Sequence, residues 1–428
     1  MRILLICTRD PSGRRSGRKA VLATIVNSLR SLGHSVEALA ITKDGLGLAA
    51  GAFSDVTLHR IAPPSVGRIA WNLAVGFPSD RLSLNECLYY SPRIAHDVRA
   101  LSEGGAFDLV VADTLRTAKL GLATSLPLVV DLDDLLSLRY ADLIEGHGDV
   151  GSLLGYYGES MPRLLARLAT GFAARLLRRE AALLERREVW TARTADAVSL
   201  VGSEEAAELS RRSGRPVACL PMAVDVSGNS ADVASNPSDR FVCVGGMDYR
   251  ANVESLRWFA GEPLTAARRA CPGFHLEMIG HCPKQIAEEL TRPGLSFLGY
   301  VDDLSRALRG YRGFVAPITS GTGVKTKVIE AMAAGLPVVS TPLGVAGIAA
   351  QHGVDCLVGS SPSEFAEHIH RISARPEEAA AIGQRGRQLV KGSFSAEVIE
   401  QRWADVLRQV GERSALQGDF ANASASGQ

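Results

Sequence analysis

Two glycines, two lysines and one glutamate lie within ten positions of each other in the second half of the chain. They are Gly321, Gly323, Lys325, Lys327 and Glu330. Glycines between a strand and a helix free backbone N–H groups to point at an anion, and the first helical turn adds its own N–H groups. The lysines bring positive charge, and the glutamate carboxylate can accept hydrogen bonds from a ribose diol. This spacing predicts a cradle for a phosphate-bearing nucleotide.

Three other interpretations of the same segment compete with an anion cradle. A Gly-x-Gly pair can mark a simple turn. A P-loop needs a glycine directly before its lysine, but Val324 occupies that position. A dinucleotide fingerprint needs a third glycine and a place after the first strand, and the segment has neither. The simple turn is therefore the alternative that stays open.

The first half of the chain contains a D-x-D pattern at Asp131 and Asp133, followed by Asp134. Such a pair can hold Mg²⁺ or Mn²⁺ on a diphosphate. An aspartate directly after a strand can equally cap a helix or stabilise a turn. Because the anion cradle lies in the other half of the chain, where basic residues and the helix dipole can hold a diphosphate, we expect no metal here.

Residues 9–19 combine glycines with basic residues directly after the first predicted strand. In a parallel α/β domain this loop lies at the carboxyl edge of the sheet, where ligands bind. Gly13, Arg14, Gly17 and Arg18 could therefore approach a diphosphate or a phosphorylated acceptor. The alternative is a flexible, solvated loop.

Residues 163–193 hold eight arginines and three glutamates, with Leu164, Leu168, Phe172 and Leu176 forming an apolar stripe. A basic amphipathic helix can lie on an anionic membrane surface. More often such a stripe is buried in the protein itself. We favour burial and keep peripheral membrane contact as the alternative.

Short apolar stretches alternate with helical patterns along most of the chain, which indicates parallel sheets with helices on both faces. We predict an α/β protein of two doubly wound, Rossmann-like domains facing a central cleft. The predicted segments are an N-terminal domain 1–224, a linker or exposed loop 225–240, a second domain 241–393, a helix 394–412 packing back toward the first domain and a disordered tail 413–428. The predicted strands are 2–7, 36–41, 109–112, 128–131, 197–201, 241–244, 274–279, 295–298, 314–316 and 337–340.

The composition bounds the class of protein. The 428 residues carry a net charge of +1 and are 46% apolar, so no global field favours nucleic acid. Seven scattered cysteines form no CxxC pair, and His281 beside Cys282 lacks further ligands at zinc spacing. The apolar start is too short for a signal peptide or a membrane span. We expect a cytoplasmic protein, peripheral at the inner face of the membrane if the basic helix binds lipid.

Three stretches resemble the retaining glycosyltransferase family 4. They are residues 245–259 (GGMDYRANVESLRWF), 297–304 (FLGYVDDL) and 320–347 (SGTGVKTKVIEAMAAGLPVVSTPLGVAG). The resemblance is firm over about 241–407 and loose over the first 220 residues. It implies the GT-B fold and transfer of a sugar from a nucleoside-diphosphate sugar with retention of configuration. Polysaccharide or other glycan assembly is implied by the resemblance alone.

The family's E-x7-E motif assigns roles to positions of this chain. Glu330 would be its second glutamate and bind the nucleotide ribose. The loop with Gly321 and Gly323 would hold the transferred sugar and the diphosphate. The nucleobase would meet, largely through backbone atoms, Gly299, Tyr300 and Val301.

This sequence departs from the family pattern in two places. The first glutamate of the motif should stand at 322, where the chain has Thr322. The usual arginine and lysine after the first strand of the second domain are replaced by Met247 and Ala251. Neutralising the leaving diphosphate would then fall to other cations, namely Arg250, Lys325 and Lys327.

We accordingly expect a metal-independent enzyme that transfers a sugar to a glycan, lipid-linked or small-molecule acceptor. Asp133 stands where many family members have a histidine near the scissile bond, so it would contact donor sugar or acceptor. An epimerase or hydrolase of the same fold is one alternative, although we see no second carboxylate to pair with Asp133. A non-catalytic sugar-nucleotide-binding protein is another, which Thr322 favours and Glu330 opposes.

Overall fold

The chain divides into two compact units, which are described separately. In the computed structural model the first unit contains residues up to Met222 together with those from Ala396 onward, and the second is Ala223–Ser395. The sequence had suggested a boundary at 224. The structure describes residues 1–8, 17–42, 53, 55–103, 105–144, 170–228, 230–231, 233, 238–321 and 323–425.

A seven-stranded parallel sheet organises the first unit, with the strand order β3-β2-β1-β4-β5-β6-β7. Its central strands are buried along nearly their whole length, which is why they are continuous apolar stretches without alternation. The strands are β1 Arg2–Cys7, β2 Ser35–Ile41, β3 Leu58–Ile61, β4 Leu109–Asp113, β5 Leu128–Asp131, β6 Ala197–Leu200 and β7 Ala218–Cys219.

Helices cover this sheet, and one π-helical turn interrupts them at Asn72–Gly76. The long helix α7 buries Leu183 and Leu184, and Leu176, the described member of the predicted stripe, is partly buried against a cluster that includes Leu183. Leu164, Leu168 and the side chain of Phe172 lie outside the described residues. The helices up to the unit boundary are α1 Gly17–Ser31, α2 Val66–Trp71, α3 Leu84–Tyr89, α4 Pro92–Ser102, α5 Leu115–Gly121, α6 Leu136–Ile144, α7 Thr170–Thr194 and α8 Ser203–Ser213.

Two buried glutamates of α7 hold the first turns of other helices. Glu180 Oε2 accepts a hydrogen bond from the N–H of Leu84 at 2.9 Å. Glu188 accepts from both the N–H and the hydroxyl of Ser137, at 2.9 and 2.6 Å. Burial raises the pKa of each carboxyl to about 7, and these hydrogen bonds oppose the shift only in part. Helix placement in this unit therefore depends on carboxylates that are costly to ionise.

A six-stranded parallel sheet with the order β10-β9-β8-β11-β12-β13 organises the second unit. One side of its core is aromatic, with Phe259 6.2 Å from Phe274 and 6.1 Å from Phe365 between ring centroids. The strands are β8 Arg240–Val244, β9 His275–Ile279, β10 Leu295–Gly299, β11 Gly313–Ala316, β12 Val338–Ser340 and β13 Leu357–Val358. The helices are α9 Arg250–Ala260, α10 Glu262–Ala270, α11 Lys284–Leu290, α12 Leu304–Leu308, α13 Thr326–Ala333, α14 Pro342–Val345, α15 Pro362–Ala374 and α16 Pro376–Phe394.

The predicted fold class, two doubly wound α/β domains, is confirmed by these two parallel sheets. The ten predicted strands are present. Most of them begin or end one residue away from the predicted position. The sequence did not indicate β3, β7 and β13, which have four, two and two residues and lie at sheet edges. Strands β7 and β13 carry too few side chains to show a pattern, and β3 has no buried residue and thus lacks the continuous apolar stretch of a buried strand.

The segment 225–240 packs against the second unit, which corrects the expectation of an exposed loop at several positions. Ala231 and Val233 are buried. The N–H of Ala231 donates to the carbonyl of Ala334 at 2.8 Å, and Arg312 Nη1 donates to the carbonyl of Val233 at 3.0 Å. A composition rich in small polar residues therefore does not prevent a segment from being anchored.

The last helix, α17, extends from Ala396 to Ala425. It buries Trp403, Val406 and Val410 and contacts α1 of the first unit. Its helical backbone continues beyond 412, so the tail predicted to be disordered from 413 is helical as far as Ala425. The alanines of this stretch favour a helix, although its small polar composition suggested a disordered tail. No helix of the described residues has the length and apolarity needed to cross a membrane.

Replacing Glu188 by glutamine should change how stability depends on pH. Because the pKa of this carboxyl is raised from 4.5 to about 7, its contribution to stability is full below pH 4.5 and is lost as the pH rises through 7. The loss is on the order of 3 kcal/mol. Glu188→Gln should therefore gain thermal stability relative to the wild type between pH 5 and pH 8, as measured by circular dichroism.

Glu185→Gln is the matched control, because Glu185 lies on the same helix with 54% of its side chain exposed. It should leave the pH dependence unchanged. Parallel stability curves for Glu188→Gln and the wild type would contradict the role of the buried carboxyl.

Candidate functional site

The predicted anion cradle lies at the switch point of the second sheet, which is the point where its strand order reverses. Strand β8 has β9 on one side and β11 on the other. In doubly wound sheets ligands bind at the carboxyl ends of the two strands that flank this point. The loop after β11, residues 317–325, and the loop after β8, residues 245–249, occupy these ends. We call the first of them the glycine–lysine loop.

The backbone of the glycine–lysine loop requires its two glycines. Gly321 has a φ of 104° and Gly323 a φ of 72°, values that side chains larger than hydrogen disfavour. Lys325 Nζ then donates to the carbonyl oxygens of Gly321 and Gly323, at 2.9 and 2.6 Å. The ammonium group therefore closes the loop and keeps a positive charge beside it. Thr322 lies outside the described residues.

Polar side chains from both sides anchor the same loop. The N–H of Thr319 donates to Ser255 Oγ of α9 at 3.2 Å. On the other side, Thr341 Oγ1 donates to the carbonyl of Ile318 at 2.6 Å. Loop geometry is thus determined by the helix after β8 and by the end of β12, neither of which the sequence had singled out.

Lys325 lies directly before a helix and not in its opening turn. Its backbone is extended, with φ −88° and ψ 91°, and it occupies the cap position before α13. The positive φ of Gly323 is not a helical value, so the helix can begin only after this residue. Helix α13 begins at Thr326, so its first N–H groups follow the lysine directly.

Lys327 is held against the loop after β8 and does not lie on a solvated helix face. Its Nζ donates to Asn252 Oδ1 at 2.7 Å, and Asn252 Nδ2 donates to the carbonyl of Gly246 at 2.8 Å. Burial lowers the pKa of the Lys327 ammonium, and nearby Cys243 offsets this slightly. A Cβ at Gly245 would approach both Asn252 and Lys327. The lysine therefore braces one loop of the switch point against the other.

The candidate nucleobase residues lie at the end of β10 in the same unit. Gly299 has a φ of 79°, and its carbonyl accepts from the N–H of Gly280 at 2.8 Å. Tyr300 is 60% exposed, and Val301 is partly buried. Backbone hydrogen bonds thus connect the carboxyl ends of β9 and β10. Glu330 lies one turn into α13 and is partly exposed.

Two charged groups beside this site differ from the sequence expectation. Arg250 is exposed and its Nε donates to Glu254 at 2.6 Å, so part of its charge is already paired. Asp248 and His281, which sequence reasoning did not pair, lie 2.7 Å apart between Oδ2 and Nδ1. Their positions directly after β8 and β9 were the available signal, since polar residues at strand ends share one edge of a parallel sheet.

A separate charge cluster occupies the equivalent point of the first sheet, between β1 and β4. Arg18, in the first turn of α1, donates through Nε to Asp113 at 2.7 Å and through Nη2 to Asp131 at 2.8 Å. Its Nη1 lies 2.9 Å from Asp133 Oδ1. Asp131 accepts a further hydrogen bond from Ser199 at 2.9 Å. We call this group, Arg18 with Asp113, Asp131 and Asp133, the Arg18 cluster.

Burial decides the electrostatics of the Arg18 cluster. The arginine side chain is 7% exposed and the carboxylate of Asp133 is 30% exposed. Burial opposes the charge of Arg18, yet the three carboxylates outweigh it and hold the pKa of the guanidinium above its ordinary value. Burial raises the pKa of Asp131, which Arg18 offsets only in part. Among these carboxylates, Asp133 is the accessible one.

The cluster corrects the prediction for the loop after β1. Arg18 was expected to approach a phosphate, but its guanidinium is turned into the protein and is occupied by carboxylates. Gly17 begins α1, while Gly13 and Arg14 lie outside the described residues. Asp113 was missed by sequence reasoning, although it is an acid at the end of a buried strand.

Backbone strain marks the same edge of the first sheet. Asp133 and Thr114 have φ values of 71° and 69°. Both follow central strands, and the N–H of Thr114 donates to the carbonyl of Asp131 at 2.7 Å. A β-branched residue rarely adopts such a φ, and strain of this kind concentrates at functional sites. Both carboxylates of the D-x-D pattern contact Arg18, and no group of three potential metal ligands occurs among the described residues.

Part of the chain matches a known protein family. Residues 238–375, which contain the glycine–lysine loop, match the family model described as Glycosyl transferases group 1. The chain is also similar to an uncharacterised 44.6 kDa protein in the cps region of Klebsiella pneumoniae, with 27% identity over 139 residues. That match covers 30% of this chain and 36% of the other protein, so the chain spans about a third of the curated relative's length.

Solved structures share the fold over nearly the whole chain. Sucrose-phosphate synthase from Thermosynechococcus elongatus has a TM-score of 0.66 at 17% identity, covering 96% of this chain and 99% of that one. HepE of Anabaena, solved in complex with UDP, has a TM-score of 0.62 at 16% identity, with coverages of 95% and 100%. The likeness confirms the predicted fold class.

Removing the guanidinium of Arg18 should destabilise the first unit. Arg18→Ala would leave buried carboxylates without their cation, which typically costs about 3–5 kcal/mol. The loss should be larger at pH 8 than at pH 5.5, because the orphaned carboxyls can take up protons as the pH falls. Urea unfolding at the two pH values, followed by circular dichroism, measures both effects.

Arg93→Ala is the control, since the Arg93 side chain is 91% exposed. We expect it to change stability by less than about 0.5 kcal/mol. An Arg18→Ala protein as stable as this control would show that the cluster is not a buried ion network.

Proposed function

We propose that the protein is a glycosyltransferase that moves a sugar from a nucleoside-diphosphate sugar to an acceptor during glycan assembly. The observation that carries the proposal is the glycine–lysine loop at the switch point of the second sheet, inside the region that matches Glycosyl transferases group 1. Such a loop is built for a diphosphate, because its backbone N–H groups, the start of α13 and a lysine converge there.

The donor is held by residues of the second unit in this proposal. The diphosphate lies against the glycine–lysine loop, and Lys325 supplies the nearest positive charge. Glu330, one turn along α13, accepts hydrogen bonds from the ribose. The nucleobase meets Gly299, Tyr300 and Val301, where the backbone of Gly299 is already bent by its positive φ.

Catalysis in this proposal is stabilisation of the departing nucleoside diphosphate. As the bond to the anomeric carbon breaks, negative charge grows on the diphosphate, and fixed cations and N–H dipoles stabilise it. Lys325 and Lys327 take the place of the arginine and lysine that Met247 and Ala251 replace. Retention of configuration and independence from metal ions are parts of the proposal, supported by resemblance and by this set of cations.

Asp133 of the first unit is proposed to contact the transferred sugar or the acceptor. Its carboxylate is partly exposed, while Arg18 fixes one oxygen. A carboxylate held in this way can accept a hydrogen bond from a sugar hydroxyl. The acceptor is a glycan, a lipid-linked sugar or a small molecule. The match to a cps-region protein is the observation that bears on this choice.

Incubating the protein with a panel of nucleotide sugars tests the proposal. We expect one donor class to release its nucleoside diphosphate, slowly with water and faster with a suitable acceptor, and to do so in the presence of EDTA. Release without acceptor stimulation would indicate a hydrolase. Binding without any turnover would indicate a sugar-nucleotide sensor, and neither binding nor turnover would overturn the proposal.

Replacing Lys325 separates catalysis from binding. Lys325→Ala should lower turnover about 10²- to 10³-fold, as removal of one such electrostatic donor does, because it stabilises the leaving group more than the bound donor. It also frees the carbonyls of Gly321 and Gly323. Lys325→Arg should rescue turnover in part, since it restores the charge with a different shape.

Glu330→Ala and Lys327→Ala are the comparisons for Lys325. Glu330→Ala should weaken nucleoside-diphosphate binding about ten- to hundredfold in calorimetry by removing a charge-assisted hydrogen bond. Lys327→Ala should show which lysine faces the diphosphate, because the larger turnover loss identifies it. If neither lysine variant changes turnover, leaving-group stabilisation resides elsewhere, and Arg250 is then the next residue to test.

A further inference from the structure

An apolar surface stands out on the first unit, at residues 66–75. Val66, Trp71, Leu73 and Val75 expose 79, 59, 39 and 41% of their surface. Helix α2 contributes no buried residue, and Ala70 and Ala74 are also exposed. We call residues 66–75 the Trp71 face. It is far more apolar than a solvated surface helix usually is.

The Trp71 face is a rigid part of the fold, because its inner side is firmly anchored. The Asn72 side chain is buried and donates to the carbonyls of Cys87 and Tyr90, at 3.0 and 2.8 Å. Gly76 lies so close to Leu82 that a Cβ would collide with it, and Phe77 is buried beside them. The buried residues on the inner side therefore fix the segment, and its apolar side chains point outward.

The π-helical turn produces this presentation. The N–H of Phe77 donates to the carbonyl of Asn72 at 2.9 Å, five residues back. The extra residue per turn places Asn72 and Gly76 inward and leaves the three residues between them exposed. π-helical turns are rare and occur preferentially at functional sites.

Positive charge adjoins the Trp71 face. Arg179 of α7 lies 5.2 Å from the Phe77 ring centroid and donates to the carbonyl of Pro78 at 2.7 Å, so the basic side of α7 begins where the face ends. Arg179 and Arg186 both pair with the exposed Asp80, at 2.9 and 3.5 Å. Among the described residues here, Glu185 is the other exposed acid, and it lies 3.5 Å from Arg212. The arginines along residues 66–81 and 175–186 are Arg68, Arg81, Arg175, Arg178, Arg179 and Arg186.

We propose that the Trp71 face docks the protein onto the surface of an anionic lipid bilayer. Tryptophan and aliphatic side chains would enter the headgroup region, and the arginines beside them would meet lipid phosphates. Anionic lipid fits better than an apolar protein groove, because the described residues 66–81 and 175–186 hold six arginines against two exposed acids. The proposal stands apart from the glycosyl transfer proposed above.

This surface differs from the one that the sequence suggested. The stripe of the basic helix was the alternative for membrane contact, but its described member Leu176 packs against a buried cluster that includes Leu183. The arginines of α7 and the apolar residues of α2 instead come from different parts of the chain and meet at Asp80 and Phe77.

Co-sedimentation with lipid vesicles tests the proposal on the full-length protein. The wild type should co-sediment with vesicles of phosphatidylcholine that contain roughly 30–40% phosphatidylglycerol, because these carry a negative surface charge. Pure phosphatidylcholine should pull down much less, and raised salt should weaken the binding. Vesicles with brominated acyl chains should quench part of the tryptophan fluorescence.

Substitutions separate the apolar and charged contributions. The double variant Trp71→Ser, Leu73→Ser and the double variant Arg68→Glu, Arg81→Glu should each bind roughly tenfold or more weakly. Trp71→Phe should still bind but lose the quenching, because it keeps the apolar contact and removes the fluorophore. Matched controls in the second unit are Val354→Ser, at a residue 41% exposed, and Arg269→Glu, at an exposed arginine; both should bind as the wild type does.

Three results would overturn the proposal. One is equal binding to both kinds of vesicle by all variants, and another is no binding by a wild type whose circular dichroism shows it to be folded. The third is self-association in light scattering that Trp71→Ser abolishes, which would assign the face to a second copy of the chain. Donor hydrolysis in solution should be unchanged in the Trp71 variants, so failure of this proposal and failure of the proposed activity are distinguishable.

Discussion

Both sheets consist only of parallel strands covered on both faces, and this constraint decides where chemistry can occur. The strands must be apolar along their length, so polar groups are admitted only where a strand ends and the chain turns into a helix. In each unit the polar groups with functional interest lie at the carboxyl ends of the strands, on the edge where the strand order reverses. The strands that flank the reversal are β8 and β11 in the second sheet and β1 and β4 in the first, while Asp131 ends β5 and Gly299 ends β10.

The basic side chains at the two switch points have different kinds of partner. In the second unit, Lys325 and Lys327 are held by uncharged acceptors, namely loop carbonyls and an asparagine. These acceptors fix the two ammonium groups beside the glycine–lysine loop and the loop after β8. In the first unit, Arg18 is surrounded by three carboxylates. That cluster has an excess of negative charge, which suits sugar hydroxyls and disfavours a phosphate.

Buried carboxylates recur through the first unit and connect its helices to its sheet. Glu180 and Glu188 of α7 cap other helices, and Glu205 accepts from the N–H of Leu135 at 3.2 Å beside the D-x-D segment. Burial raises the pKa of Glu205 to about 7 as well. Helix α7 buries Glu180 and Glu188 and exposes Arg175, Arg178, Arg179 and Arg186. These arginines outnumber its exposed acid, Glu185.

The sequence alone determined the fold class and ten of the thirteen described strands, and it singled out the loop of Gly321, Gly323 and Lys325, because these depend on local patterns. Apolar stretches show buried strands, and glycines between a strand and a helix show a phosphate-type loop. Only the tertiary structure decided the role of each charge. Arg18 and Arg250 are both basic residues beside a predicted ligand site, yet the first is buried among aspartates from other strands and the second pairs with its helical neighbour. Asn252, Asp113 and Ser255 became visible only because strands distant in sequence end at one edge of a sheet. The Trp71 face likewise depends on which side of a short helix is covered by the rest of the unit. A sequence of small and apolar residues does not indicate which side this is.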